Sequence, residues 1–172
     1  MSKEDTKDLL EFLKPFSPGI QEMALWLREF VWDLYPNCNE LIYDNYNALA
    51  FGWSTTEKLS DTFCTIAVMS KYLHFGFYWG TQIADPKKIL LGNGNQYRYI
   101  IVNEKSDFPA VYIRKLLKEA HANSIAKLKW AKENKPVLTA AGKKPVAKGA
   151  TITKSISPVK RRPGITPVKK KK

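Results

Sequence analysis

Apolar residues recur every three or four positions at the two ends of the first 134 residues, and every second position between them. Leu9, Leu10 and Leu13, followed by Pro15, predict a short helix from Lys3 to Leu13. Ser17-Pro18 opens a longer helix. The Ser17 hydroxyl can accept from first-turn amides, and a proline at the first helical position needs no amide donor. Ile20, Met23, Ala24, Leu27, Val31 and Leu34 form its apolar stripe, and Pro36-Asn37 stops it.

From Glu40 onward the period is two. Leu41–Tyr43, Ala48–Trp53, Phe63–Met69, Tyr72–Trp79 and Tyr97–Val102 are rich in aromatic and branched residues and predict five strands. Short joins such as Ser70-Lys71 imply antiparallel neighbours. In Tyr72–Trp79 the alternation sets Leu73, Phe75, Phe77 and Trp79 on one face, toward helices. Tyr72, His74, Gly76 and Tyr78 fall on the other, more open face. Ala84–Asn95 is a loop punctuated by Asp85-Pro86 and by Gly92-Asn93-Gly94, a tight turn of residues that tolerate positive φ. A last helix starts near Pro109 with Ser106 or Asp107 as cap, and it places Ile113, Leu116, Leu117, Ala120, Ser124, Leu128 and Ala131 on one face. The order predicts an α+β sandwich: an antiparallel sheet of about five strands with N-terminal and C-terminal helices packed on one face.

Charge adds a second division. Residues 1–134 contain 16 Lys+Arg and 16 Asp+Glu, whereas residues 135–172 contain 12 Lys+Arg and no acid, so the net +12 belongs to the second segment. All Trp, Tyr and Phe lie at or before Trp130, and five Pro follow it. Uncompensated like charge without aromatic side chains cannot bury enough apolar area to offset chain entropy, so a disordered basic tail is expected for 135–172 and a folded domain for 1–134. No apolar run reaches the length of a membrane span, and the first residues lack the apolar stretch of a signal peptide. Cys38 and Cys64, without CxxC spacing, are expected to be reduced packing residues of a cytoplasmic protein.

Candidate chemistry is sparse. His74 and His121 are the only histidines, neither has a cysteine at ligand spacing, and no nucleophile-elbow, zincin or phosphate-loop motif occurs. The open sheet face offers more. Tyr72, His74 and Tyr78 would lie beside Arg98 if Gln96, Arg98 and Ile100 point the same way, with Tyr46 and Asn47 at the border. Aromatic rings with an arginine can stack bases or hold a small anion, and the same residues serve equally as cross-strand pairs that stabilise a half-exposed sheet.

The run Leu41-Ile-Tyr-Asp-Asn-Tyr-Asn-Ala-Leu-Ala-Phe-Gly-Trp resembles the YdhG-like family of small bacterial proteins. So do Tyr72-Leu-His-Phe-Gly-Phe-Tyr-Trp-Gly and the series Asp85-Pro86, Leu91-Gly92 and Arg98. The resemblance covers about Leu9 to Ala120 and implies a frataxin-like sandwich, with an intracellular iron-chaperone role in one branch. Frataxins carry iron weakly on first-helix carboxylates, a role that would fall here to Glu4, Asp5, Asp8 and Glu11. Such oxygen ligands at helical spacing suit iron or another hard divalent cation. Lys3, Lys7 and Lys14 interrupt that face, and the neutral domain supplies no acidic field to concentrate cations.

The tail lies outside that resemblance. Ser157-Pro-Val-Lys160-Arg161-Arg162 and Thr166-Pro-Val-Lys169-Lys170-Lys171-Lys172 repeat one pattern after Lys143-Lys144-Pro-Val, and they resemble the Lys/Ala/Pro tails of linker histones. Cations spread along an extended chain bind polyanions by counterion release, without base readout. The sequence therefore leads to a non-enzymatic binding protein. It is read first as a frataxin-like iron carrier delivering to an iron-accepting protein, and alternatively as a nucleic-acid-associated protein that binds through its tail.

Overall fold

A computed structural model describes residues 7–45 and 48–134, all within the unit Met1–Val137. In chain order they form helices α1 (Lys7–Leu13) and α2 (Pro18–Leu34), then strands β1 (Asn39–Asn45), β2 (Ala48–Ser54), β3 (Thr62–Val68), β4 (Leu73–Phe77) and β5 (Arg98–Val102), then helix α3 (Ala110–Glu133). Single 3-10 turns at Leu59–Asp61, Gly80–Gln82 and Lys105–Asp107 join them. The sheet is antiparallel throughout, with its strands in sequence order β1-β2-β3-β4-β5. The expected α+β class is the observed one. No helix among the described residues is long and apolar enough to cross a membrane.

Register assigns each strand residue to a face. Ile42, Phe51, Ile66, Phe75 and Ile100 form one row across the sheet, and Leu49, Val68, Leu73 and Val102 form the next. Apart from Ile42 at the edge, these side chains are buried against the helices. Phe30 of α2 meets Phe75 edge-on at 6.4 Å, and His121 of α3 meets Phe63 at 5.1 Å. A bulge between Trp53 and Ser54 leaves Phe63 outside the β2–β3 pairing. The extra residue turns Phe63 to the helical side beside Cys64, so both are buried there.

Local expectations at the helix ends need correction. Ser17 caps α2 only through its backbone: its carbonyl accepts from the Gln21 N–H at 3.0 Å, and its hydroxyl bonds none of the helix amides. The Gln21 amide instead donates to the Phe16 carbonyl at 2.8 Å. Neither Ser106 nor Asp107 caps α3. Both lie in the preceding 3-10 turn, and Pro109 occupies the cap position. The apolar stripes are shorter than their periodicity implied. Leu10 and Leu34 are exposed, and in α3 Leu128 is half-buried and Ala131 exposed, because the last turns of α3 run beyond the buried face. Strand β4 ends at Phe77, so Trp79 does not continue the buried row. Its indole N–H donates to the Ser60 carbonyl at 3.1 Å, with the Lys127 ammonium 4.0 Å from the ring centre.

One buried contact was absent from the hydrophobic pattern. Arg28 lies on the buried side of α2, and its guanidinium donates through Nε and Nη2 to both oxygens of Glu40 on β1, each at 2.8 Å. The two side chains are 6% and 0% exposed. An ion pair so desolvated holds α2 to β1 only while both partners are present. Glu40→Leu should destabilise the protein by about 3–5 kcal/mol in urea denaturation, because it removes the carboxylate that compensates a buried guanidinium. The double replacement Arg28→Met with Glu40→Leu should cost much less than the two single changes summed.

Candidate functional site

The second face of the sheet, opposite α2 and α3, carries no charged side chain in its two central rows. One row is Tyr43, Ala50, Ala67, His74 and Ile101; the other is Leu41, Gly52, Thr65, Gly76 and Tyr99. Glycines on either side of Thr65 leave the backbone bare, and tyrosines from outside the row lie across it. A Cβ on Gly76 would sit 1.9 Å from the Tyr97 hydroxyl oxygen and 2.3 Å from the ring carbon bearing it. A Cβ on Gly52 would sit 3.1 Å from the Tyr43 hydroxyl. Each phenol is then fixed by a threonine: Tyr97 Oη is 3.0 Å from Thr65 Oγ1, and Tyr43 Oη is 3.3 Å from Thr62 Oγ1. Burial pushes the pKa of the Tyr43 phenol up to about 12 and raises that of Tyr97, so both stay protonated.

A ladder of rings crosses β4 and β5. Tyr72 lies 5.3 Å from His74, His74 stacks on Tyr99 at 4.1 Å, and Tyr99 stacks on Tyr97 at 5.8 Å. Burial lowers the His74 pKa, which keeps the imidazole neutral at pH 7. Tyr97 and Tyr99 are the residues that sequence reasoning missed. Their signal was the alternation of β5, in which Tyr97, Tyr99 and Ile101 oppose Arg98 and Ile100.

Arg98 does not join this face, contrary to expectation. Arg98 and Ile100 do share a side, but Arg98 pairs with Phe77 and Ile100 with Phe75, which is the helical side of β4. The Arg98 guanidinium donates to the carbonyls of Gly94 at 2.6 Å and Tyr97 at 2.8 Å, pinning the loop before β5. Gly80 admits it, since a Cβ there would meet Arg98 Cβ at 2.4 Å. Tyr78 packs edge-on to Trp79 at 5.6 Å, outside the ladder. Tyr46 and Asn47 lie outside the described residues. The structure thus unites Tyr72 and His74 and separates them from Arg98, which removes the cation on which anion holding depended.

Asp85, Leu91 and Gly92 shape the loop that precedes β5. The Asp85 carboxylate accepts from the Tyr112 hydroxyl at 2.7 Å and from the Leu90 N–H at 2.8 Å. Gly92 takes φ +109°, and Leu91 exchanges backbone hydrogen bonds with Tyr99 at 2.7 and 3.1 Å. Among the glycines and asparagines of that turn, only Gly92 uses positive φ; among the described residues Lys88, at φ 53°, does so too.

Of the acids considered for iron, Glu4 and Asp5 lie outside the described residues. Asp8 is half-buried on α1, and exposed Glu11 pairs with Lys14 at 2.5 Å. No group of three or more His, Cys, Asp or Glu among the described residues is placed to hold a metal ion. His121 sits between Tyr35 at 4.6 Å and Phe63 at 5.1 Å, where burial lowers its pKa. Cys38 and Cys64 are free thiols whose pKa burial raises, that of Cys38 to about 11. Lys143, Lys144, Lys160, Arg161, Arg162 and Lys169 to Lys172 lie outside the described residues. Compared with family models, curated proteins and solved structures, the chain matches none.

Two outcomes follow from this packing. Gly76→Ala should cost about 1–3 kcal/mol by overpacking against Tyr97. In a Tyr97→Ala background the same change should be neutral or stabilising, as a double-mutant cycle in urea will read. Both histidines have folded pKa values below the unfolded value of about 6.5. Between the two values the unfolded chain binds more protons, so stability falls as pH drops through about 6.5. Thermal unfolding from pH 8 to 5 should show this loss, and His74→Gln with His121→Gln should flatten it.

Proposed function

We propose that the chain is a non-enzymatic binding protein that associates with nucleic acid through its basic C-terminal segment, while its folded part offers the uncharged aromatic sheet face to a second ligand. The observation that carries the reading is the partition of charge: 12 Lys+Arg without an acid in residues 135–172, against 16 and 16 in residues 1–134. A neutral folded part exerts little long-range pull on phosphates, so affinity for a polyanion falls to the segment. The face suits a contact of another kind. Phenol hydroxyls, a neutral imidazole and a threonine can hydrogen-bond, and two alanines give it low relief, but no described cation faces an anion there.

The YdhG-like resemblance stays compatible with the order of helices and strands, and with it the frataxin-like sandwich. Iron carriage has less support, since Glu11 is engaged by Lys14.

The test is DNA binding by the full chain across a salt series, beside a full-length variant whose twelve tail Lys and Arg are replaced by Gln. Each phosphate-neutralising cation contributes about −0.9 to the slope of log affinity against log salt. A steep slope in the parent and loss of binding in the variant are expected. Binding that survives neutralisation, or that ignores salt, would overturn the reading. Titration of Fe²⁺ into both proteins tests the iron reading separately.

A further inference from the structure

The two edges of the sheet are treated differently. On β5 the outward N–H and C=O of Tyr99 are taken up by Leu91, through the loop that Asp85, Tyr112 and Arg98 hold in place. Those bonds fix which residues of every strand point their amides sideways, because the direction alternates along each strand and passes from one strand to the next. The Met69 N–H donating to the Tyr72 carbonyl at 3.0 Å, at the β3–β4 turn, fits the same alternation. Carried through the registers to β1, it directs the backbone groups of Asn39, Leu41, Tyr43 and Asn45 toward β2, and those of Glu40, Ile42 and Asp44 away from the sheet. No other backbone group among the described residues bonds the N–H or C=O of Ile42.

Sheet edges are ordinarily blunted by charged side chains, a proline, a bulge or a short strand. β1 has no lysine, proline or bulge: it pairs with β2 over seven consecutive positions without a register shift, and its charges are Asp44 and the Glu40 that Arg28 neutralises. Its sequence, Asn-Glu-Leu-Ile-Tyr-Asp-Asn, is similar in kind in both directions about Ile42. Amide matches amide, acid matches acid, and Leu41 matches Tyr43.

We infer that β1 pairs antiparallel with β1 of a second copy of this chain, about a two-fold axis at Ile42. The axis falls on a residue whose N–H and C=O both point outward, so Ile42 exchanges two hydrogen bonds with its own counterpart. On the tyrosine-bearing face Leu41 then stands opposite Tyr43 of the second copy, a wide pair in which side chains approach closely. Glu40 comes opposite Asp44 of the second copy, and the like charges are offset because Glu40 is already bound bidentately by Arg28. The product is one continuous sheet of ten strands with both helical layers on the same side. It goes beyond the binding reading above and does not rest on it.

The mass of the full chain by light scattering, across a dilution series, tests the pairing. Twice the chain mass is expected at high concentration, and a monomer throughout would overturn it, including the case in which another protein's strand takes this edge. Two double variants test the register. Leu41→Lys with Tyr43→Lys sets lysine against lysine between copies and should be monomeric. Leu41→Lys with Tyr43→Glu sets lysine against glutamate and should dimerise. Both lose the Tyr43 contact with Thr62, so stability lost with that ring affects them equally, and equal masses for the two would refute the register. Should neither fold, amide exchange of the parent decides. The Ile42 N–H should be protected in proportion to dimer content, and fast exchange in a sample of dimer mass would contradict pairing at this edge.

Discussion

In a sheet whose five strands follow one another in sequence and alternate in direction, register is the quantity on which everything else depends. Side chains alternate with a period of two, so a slip of one residue would carry every buried ring to the opposite face. Here the register holds a row of Phe51, Ile66, Phe75 and Ile100 under the helices. The same constraint leaves glycine, alanine and threonine at the centre of the other face and gives Tyr43 and Tyr97 somewhere to lie. The Arg28–Glu40 pair fastens the edge strand to α2, so that β1 shares this alternation to its end. What the open face can bind follows from what register keeps off it, above all Arg98.

Much of this was legible in the order of residues. Ile20, Met23, Ala24, Leu27 and Val31 on α2, and Leu73, Phe75 and Phe77 on β4, are buried as their periods require. Such rows are legible because burial of one face repeats at the geometric period of the element. Features that depend on a partner distant in sequence were not. Nothing near Arg28 announces Glu40, and a single charged residue on a helix is ordinarily solvated. Arg98 was assigned to the wrong face because the alternation within β5 was read correctly but not tied to that of β4. Only the pairing of Phe77 with Arg98 supplies that link. The capping expectations failed for a related reason. Ser17 and Asp107 are residue types that cap well, yet Ser17 caps α2 through its carbonyl alone and Asp107 lies in the 3-10 turn before the cap position of α3.

The loop before β5 and the residues that anchor it form one mechanical unit. Gly80 makes room for Arg98, Arg98 holds the carbonyls of Gly94 and Tyr97, Asp85 ties the loop to Tyr112, and Leu91 closes the edge of β5. The opposite edge has no such cover among the described residues. A dimer through it would carry two basic segments, and a second attachment to the same polyanion then gains from the high effective concentration of a tethered partner.

The central claim is that register lays Tyr97 over Gly76 on one face and turns Arg98 to the other. Ring currents report this directly in solution by NMR. The account predicts α-protons of Gly76 and Gly52 shifted strongly upfield, with nuclear Overhauser contacts from Gly76 to the Tyr97 ring and from Arg98 to Gly80. Glycine α-protons at unshifted positions, together with contacts from Arg98 to His74, would contradict it.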